Sequence, residues 1–141
     1  MNRMAKPLTH HEAMIYAMVT LSAADRTMTD RELLKISDIV RTMPIFADFD
    51  QDRLGTIANA CGTLLRDENG LDTIIGLIKT SLPPRLYETL YACAVEVAAA
   101  DLHVEQEELV FLQMLRDELE IDALVVAAIE RSARVRYRVR S

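Results

Sequence analysis

Tryptophan is absent from this chain of 141 residues, and aromatic residues make up only 5% of it. Aliphatic side chains and methionine must therefore fill most of its interior. Glycine and proline number four each, too few for a sheet-rich chain full of tight turns or for a disordered linker. Two cysteines, Cys61 and Cys93, do not make a disulfide scaffold. Both fall on apolar faces of expected helices and read as buried thiols, the alternative being a disulfide or a reactive site. No run of 18 apolar residues is present, so a membrane span is not expected. Residues 1–12 lack the apolar segment of a secretory signal, and the expected location is the cytoplasm. The chain also lacks a His-Glu-x-x-His motif, a glycine-rich phosphate loop and a nucleophile elbow, which removes the commonest motif-borne chemistries.

Half of the residues are apolar, enough for a single core without metal or disulfide. Methionine, alanine and leucine, all good helix formers, supply much of it. The net charge is −6, but one Glu and five Arg from Glu130 onward carry +4, which leaves −10 on the first 129 residues. An acidic body disfavours a large nucleic-acid surface and favours cations or basic partners.

After a leader over residues 1–8, Thr9-x-x-Glu12 and Thr29-x-x-Glu32 read as capping boxes opening two helices. Met14, Ala17, Met18 and Leu21 mark the inward face of the first. Leu33, Ile36, Ile39 and Val40 do so in the second, which stops before Pro44. Phe46 and Phe49 are expected to pack down on the core, and Asp50 to cap a third helix with a stripe of Leu54, Ile57, Ala58, Cys61 and Leu65. Asn69-Gly70 reads as a stop in left-handed geometry. A shorter helix over 71–80 is weakened by Gly76, and Pro84 fits the first turn of the next, over 85–100. Tyr87, Leu90, Tyr91, Ala94 and Ala98 share its face. Leu109, Leu112, Leu115 and Leu119 line a helix over 105–119, and Asp122 caps a last one ending near Arg131. The tail over 132–141 alternates arginine with Val135, Tyr137 and Val139; with no strand to pair with, it is expected as a frayed or docked basic extension. The fold class is all-α: a compact domain of about seven helices over 9–131.

A shift of 76 residues superimposes Ala23-Ala24-Asp25 on Ala99-Ala100-Asp101, Glu32-Leu33 on Glu108-Leu109, and Ile36 and Ile39 on Leu112 and Leu115. The chain therefore contains two related αα-hairpins, which can bury their apolar faces against each other. Asp25 and Glu32 are seven residues apart, as are Asp101 and Glu108. A tight loop bringing each pair together makes one acidic mouth per copy, suited to a hard cation such as Ca²⁺ or Mg²⁺. Thr27 and Thr29 could add oxygens in the first copy; His103, Glu105 and Glu107 are near the second. The structural reading stands beside it: Asx turns at Asp25 and Asp101, and helix caps at Glu32 and Glu108. Neither loop is an EF-hand, because Asp30 and Gln106 occupy the position of its glycine. His10 and His11 point to different helix faces and read as exposed or capping. His103 with Glu107 is the one candidate acid–base pair, at i, i+4. Tyr87 and Tyr91 read as core or core-edge residues.

The segments Ala23-Ala-Asp-Arg-Thr-Met-Thr-Asp-Arg-Glu32-Leu33 and Ala99-Ala-Asp-Leu-His-Val-Glu-Gln-Glu-Glu108-Leu109 resemble those of the TerB-like tellurite-resistance family, and the likeness runs from about Thr9 to Ile129. The resemblance implies an all-helical duplicated hairpin, with Asp25, Glu32, Asp101 and Glu108 as candidate ligands of a divalent cation. Arg26 and Leu102 stand where the family's loop carries glycine. The function expected is a non-enzymatic interaction or scaffold domain with a protein partner, or self-association as a homo-oligomer. The alternatives are a metal-dependent enzyme using the same carboxylates, and an adaptor that meets an anionic membrane surface or nucleic acid through Arg134, Arg136, Arg138 and Arg140.

Overall fold

A computed structural model describes residues 7–24, 28–101 and 104–140. Among them are seven α-helices and no strand: α1 (His10–Ser22), α2 (Asp30–Thr42), α3 (Leu54–Leu65), α4 (Gly70–Ser81), α5 (Tyr87–Ala100), α6 (Gln106–Leu119) and α7 (Ala123–Arg136), with short 3-10 turns before α3 and α5 and after α2. The all-α architecture with two joined hairpins, α1–α2 and α5–α6, is the one the duplicated segments require. Both capping boxes form. Thr9 Oγ1 accepts from the Glu12 N–H at 3.1 Å while Glu12 accepts from the Thr9 N–H at 2.9 Å, and Thr29 and Glu32 exchange the same pair of bonds at 3.2 and 2.8 Å. These satisfy N–H groups that a helix start otherwise leaves without partners. Asp122 accepts from the backbone at the start of α7, as its position predicts; Asp50 instead caps the 3-10 turn that precedes α3, and α3 itself starts after Arg53 without a side-chain cap.

The centre of the fold is α1. Residues 13–22 are all buried, because α2, α3, α4, α5 and α6 all pack around it. The expected stripe of Met14, Ala17, Met18 and Leu21 is thus only part of its buried surface. A helix apolar on nearly every side belongs in the interior rather than on it. Pro44–Phe46 forms a 3-10 turn that carries Phe46 inward, and Phe49 follows it. His11 joins them, which corrects its reading as exposed or capping. It is 9% exposed, its ring lies 5.3 Å from Phe46 and 5.1 Å from Phe49, and Nε2 is 2.8 Å from the Ile45 carbonyl. Its alignment on the buried face of α1 outweighs its polarity because the carbonyl satisfies the ring nitrogen. Of the leader, Pro7 and Leu8 are described, and the Leu8 N–H donates to Ser81 Oγ at 2.9 Å.

Three further expectations are corrected. Leu109 does not point inward; it is 49% exposed. The buried stripe of α6 is Glu108, Phe111, Leu112, Leu115 and Leu119, and one residue of helical rotation takes Leu109 off it. Gly70 does not end a helix in left-handed geometry, since no glycine has a positive φ. It starts α4 against the end of α3, where a Cβ would lie 2.3 Å from the Leu64 carbonyl oxygen and 2.9 Å from Leu65 Cα. Gly76 has open space at the same test. The two glycines should therefore respond with opposite sign to alanine in chemical denaturation. Gly76→Ala should stabilise by about 0.5–1 kcal/mol through backbone entropy, and Gly70→Ala should destabilise by about 1–3 kcal/mol through overpacking.

The third correction concerns the C-terminal segment. The last helix does not stop near Arg131 but runs to Arg136. Ala133 is buried beneath it, and Arg134 and Arg136 lie in its last turn, where positive charge favours the negative helix end. Two polar clusters pin α7 to the body. Glu130 accepts from the buried Tyr91 hydroxyl at 2.6 Å and from Arg116 at 3.2 Å, and Arg116 also donates to the Tyr91 oxygen at 2.9 Å. At the far end Arg136 donates twice to Glu96, at 3.0 and 2.7 Å, and the Tyr137 hydroxyl donates to the same carboxylate. The Arg136 guanidinium, helped by the Tyr137 hydroxyl and opposed by burial, holds Glu96 below the usual carboxylate range. The first part of the alternating segment, Arg134 to Tyr137, is thus a helical turn and its cap, and the segment is docked through Arg136 and Tyr137.

Candidate metal centre

Glu32 and Glu108 each occupy the third position of a helix, α2 and α6, and each accepts from the N–H that precedes its helix: Thr29 at 2.8 Å and Glu105 at 3.3 Å. Both carboxylates therefore sit at positive helix ends. Each also heads the buried stripe of its helix. Glu32 stands four residues before Ile36 as Glu108 stands four before Leu112, so helical periodicity aims both toward the interior of the fold. Glu108 is 3% exposed. Asp101 follows the last residue of α5 and is its C-cap. A carboxylate there adds to the negative end of the helix.

These three residues meet. One oxygen from each of Glu32, Asp101 and Glu108 lies within 4.8 Å of the other two. Oxygens ligating one Ca²⁺ at about 2.3–2.6 Å can be as much as ~5 Å apart across the ion, so one hard cation can touch all three. Beside them is a cavity of about 500 Å³. Thr29, Arg31, Leu34, Lys35, Asp38, Val97 and Ala100 complete its lining. The cluster draws Glu32 from the first hairpin and Asp101 and Glu108 from the second, a different arrangement from the one mouth per copy that spacing suggests. Contact between α2 and α5 brings the copies together there. Asp25, Thr27 and His103 lie outside the described residues, as do the family-glycine positions Arg26 and Leu102.

The cysteines are elsewhere. Cys61 and Cys93 are both fully buried and unpaired. Burial pushes the Cys61 thiol up to about 11 against a hydrogen bond with Thr20, and burial with the nearby Glu96 charge pushes Cys93 up to about 12. The thiolate is the reactive form, so neither should react with a disulfide reagent at neutral pH until the protein unfolds. Stability should fall with alkali. For each thiol the folded value exceeds the unfolded one, so its contribution is complete below about pH 9 and is lost as pH rises through about 11 and 12. Thermal melts between pH 8 and 11 should show a progressive decline that a Cys61→Ala, Cys93→Ala double variant reduces.

A family model described as tellurite resistance protein TerB matches residues 11–131. No curated protein and no solved structure matches the chain.

Proposed function

The chain belongs to the TerB family, and from that premise we propose that it is a non-enzymatic interaction domain of a tellurite-resistance or stress-response system, acting in the cytoplasm and taking up a divalent cation at Glu32, Asp101 and Glu108. The observation that carries the reading is the convergence of three carboxylates from both hairpins within 4.8 Å. An all-oxygen donor set favours Ca²⁺ or Mg²⁺ over softer metals. Asp25, the first copy's counterpart of Asp101, is a fourth candidate ligand. A protein partner is supported by exposed apolar side chains adjoining the acidic residues in sequence: Leu34, 66% exposed, with Val104, Leu109 and Val110. Leu34 also lines the acidic cavity, so a basic, amphipathic segment suits this side of the molecule.

Titration with Ca²⁺, Mg²⁺ and Mn²⁺ while following backbone amide resonances tests the proposal. Saturable shifts at Glu32, Asp101 and Glu108 are expected with at least one cation. Silence there with all three would remove the cation from the function. Among the described residues no helix is long and apolar enough to cross a membrane. The adaptor reading rests on Arg134, Arg138 and Arg140, which are exposed, because Arg136 already pairs with Glu96. Changing these three arginines to glutamine, rather than deleting the segment and with it the buried Ala133, tests it by liposome and nucleic-acid cosedimentation.

A further inference from the structure

A second cavity, of about 540 Å³, lies where α2 and α7 both pack on α5. Among its described lining residues it shares only Lys35 and Asp38 with the acidic one. Its size is ordinary for a small-molecule site. Ile39, Met43, Val95 and Ile129 give it an apolar lining. Ala92, Ala128 and Ala133 leave the room, because α5 and α7 present methyl groups there instead of larger side chains. Met43 has an unbranched thioether that adjusts to what it touches. Ile39, Val95 and Ala133 are buried, while Asp38, Thr42, Ser132 and Arg136 are exposed. The cavity therefore has an apolar floor and a polar rim.

Most charges on that rim are matched. Arg136 pairs with Glu96, and Arg41 with Asp38. Lys35 is left over. Its Nζ donates to the neutral Tyr137 hydroxyl at 2.6 Å and stands 4.9 Å from the centre of that ring, and it forms no ion pair with a described carboxylate. An ammonium group carries further N–H donors beyond the one used there. The cavity thus holds one positive charge in excess of its ion pairs, beside an apolar floor. We propose that it binds a small amphipathic monoanion, a carboxylate on an aliphatic tail, with the carboxylate on Lys35 and the tail on Ile39, Met43, Val95 and Ile129. Glu96 and Asp38 restrict the ligand to a single negative charge, because a phosphate dianion brings its second charge beside two carboxylates. The site is independent of cation uptake at the acidic cluster.

The test titrates the full chain with octanoate, 1-octanol, octyl phosphate and octylammonium, each below its micelle concentration, and follows side-chain methyl resonances. The buffer is held at about pH 8, where a phosphate monoester is a dianion. Saturable shifts at Ile39, Met43, Val95 and Ile129 are expected with octanoate. Octanol and octyl phosphate should bind about five- to tenfold more weakly, the scale of one charged hydrogen bond at a half-exposed group, and octylammonium more weakly still. Lys35→Met should weaken octanoate about five- to tenfold while leaving octanol within about twofold. Lys35→Arg keeps the charge and should hold octanoate within about threefold of the unaltered protein. Ala128→Trp fills the hollow from an exposed position and should abolish the shifts with every probe while circular dichroism stays the same. Equal affinity for octanoate and octanol, tightest binding by octyl phosphate, or unaltered octanoate affinity in Lys35→Met would each overturn the proposal. So would shifts that persist in Ala128→Trp, or no saturable shifts at the four lining residues.

Discussion

Glu108→Gln should lower divalent-cation affinity on the order of 100-fold, about 2.8 kcal/mol, while circular dichroism shows the helices unchanged. The side chain keeps its length and an oxygen able to accept from the Glu105 N–H, the contact that closes the start of α6. What is lost is the negative charge of the most buried of the three clustered carboxylates. Hard cations depend on that charge as well as on oxygen geometry. Isothermal titration with the cation that binds the unaltered protein measures the effect. Equal affinity in the variant would place the cation elsewhere. The same exchange at Glu107, an exposed neighbour on the same helix, serves as a control and should change affinity by less than about threefold, since a solvated charge is screened.

Tyr91→Ala should be the most damaging single truncation in the hydrophobic interior, at about 4–6 kcal/mol in urea or guanidinium unfolding. Tyr91 is fully buried, and removal of a buried aromatic ring costs about 3–5 kcal/mol. Its hydroxyl adds to this because it joins three helices: it donates to Glu130 on α7 and accepts from Arg116 on α6. Tyr91→Phe isolates the hydroxyl and should cost about 1.5–3 kcal/mol, the range for hydrogen bonds to charged groups. Burial first, then the bond to Glu130, pushes the Tyr91 hydroxyl up to about 12. The neutral phenol is thus the form the fold requires, and its contribution is lost as pH rises from about 10 through 12. In Tyr91→Phe the alkaline decline above pH 10 should be shallower.

The arrangement of helices was legible because several independent local signals agree. Thr9 with Glu12 and Thr29 with Glu32 mark two helix starts, Pro44 and the Pro83–Pro84 pair mark breaks, and Ile36, Ile39, Leu112 and Leu115 repeat at helical spacing. The duplicated Ala-Ala-Asp segments joined these signals into two hairpins. Sequence and structure part where a polar residue occupies a buried position. Glu108 and His11 lie on inward faces, and a search restricted to apolar side chains passes over them. Such a search puts Leu109 inward, although Glu108 holds that place. A pattern including Glu108 with Leu112, Leu115 and Leu119 has the right period and would have found it. Gly70 illustrates a different limit. Its absence of a side chain answers to Leu64 and Leu65 of the preceding helix, a close approach that dipeptide statistics cannot separate from a left-handed turn.

At the candidate site, spacing points to all three carboxylates that meet and pairs Asp101 with Glu108, but does not show that Glu32 joins them. Two residues seven apart can be inferred to be neighbours; that Glu32 joins Asp101 and Glu108 depends on how α2 lies against α5. The end of α7 is hidden from the sequence for a similar reason. Alternating Arg134, Val135, Arg136 and Tyr137 suggests an extended chain, whereas Glu96, some forty residues earlier, supplies the contact that secures another helical turn.

The enclosure of α1 has a consequence for biosynthesis. Its covering includes α5 and α6, which leave the ribosome long after α1 itself. At roughly 5–20 residues per second, several seconds pass between emergence of Met14, Ile15 and Met18 and that of the helices which shelter them. During that interval the nascent chain presents an oily segment that chaperones can engage, and fragments terminated ahead of Tyr87 should aggregate rather than persist as stable partial domains.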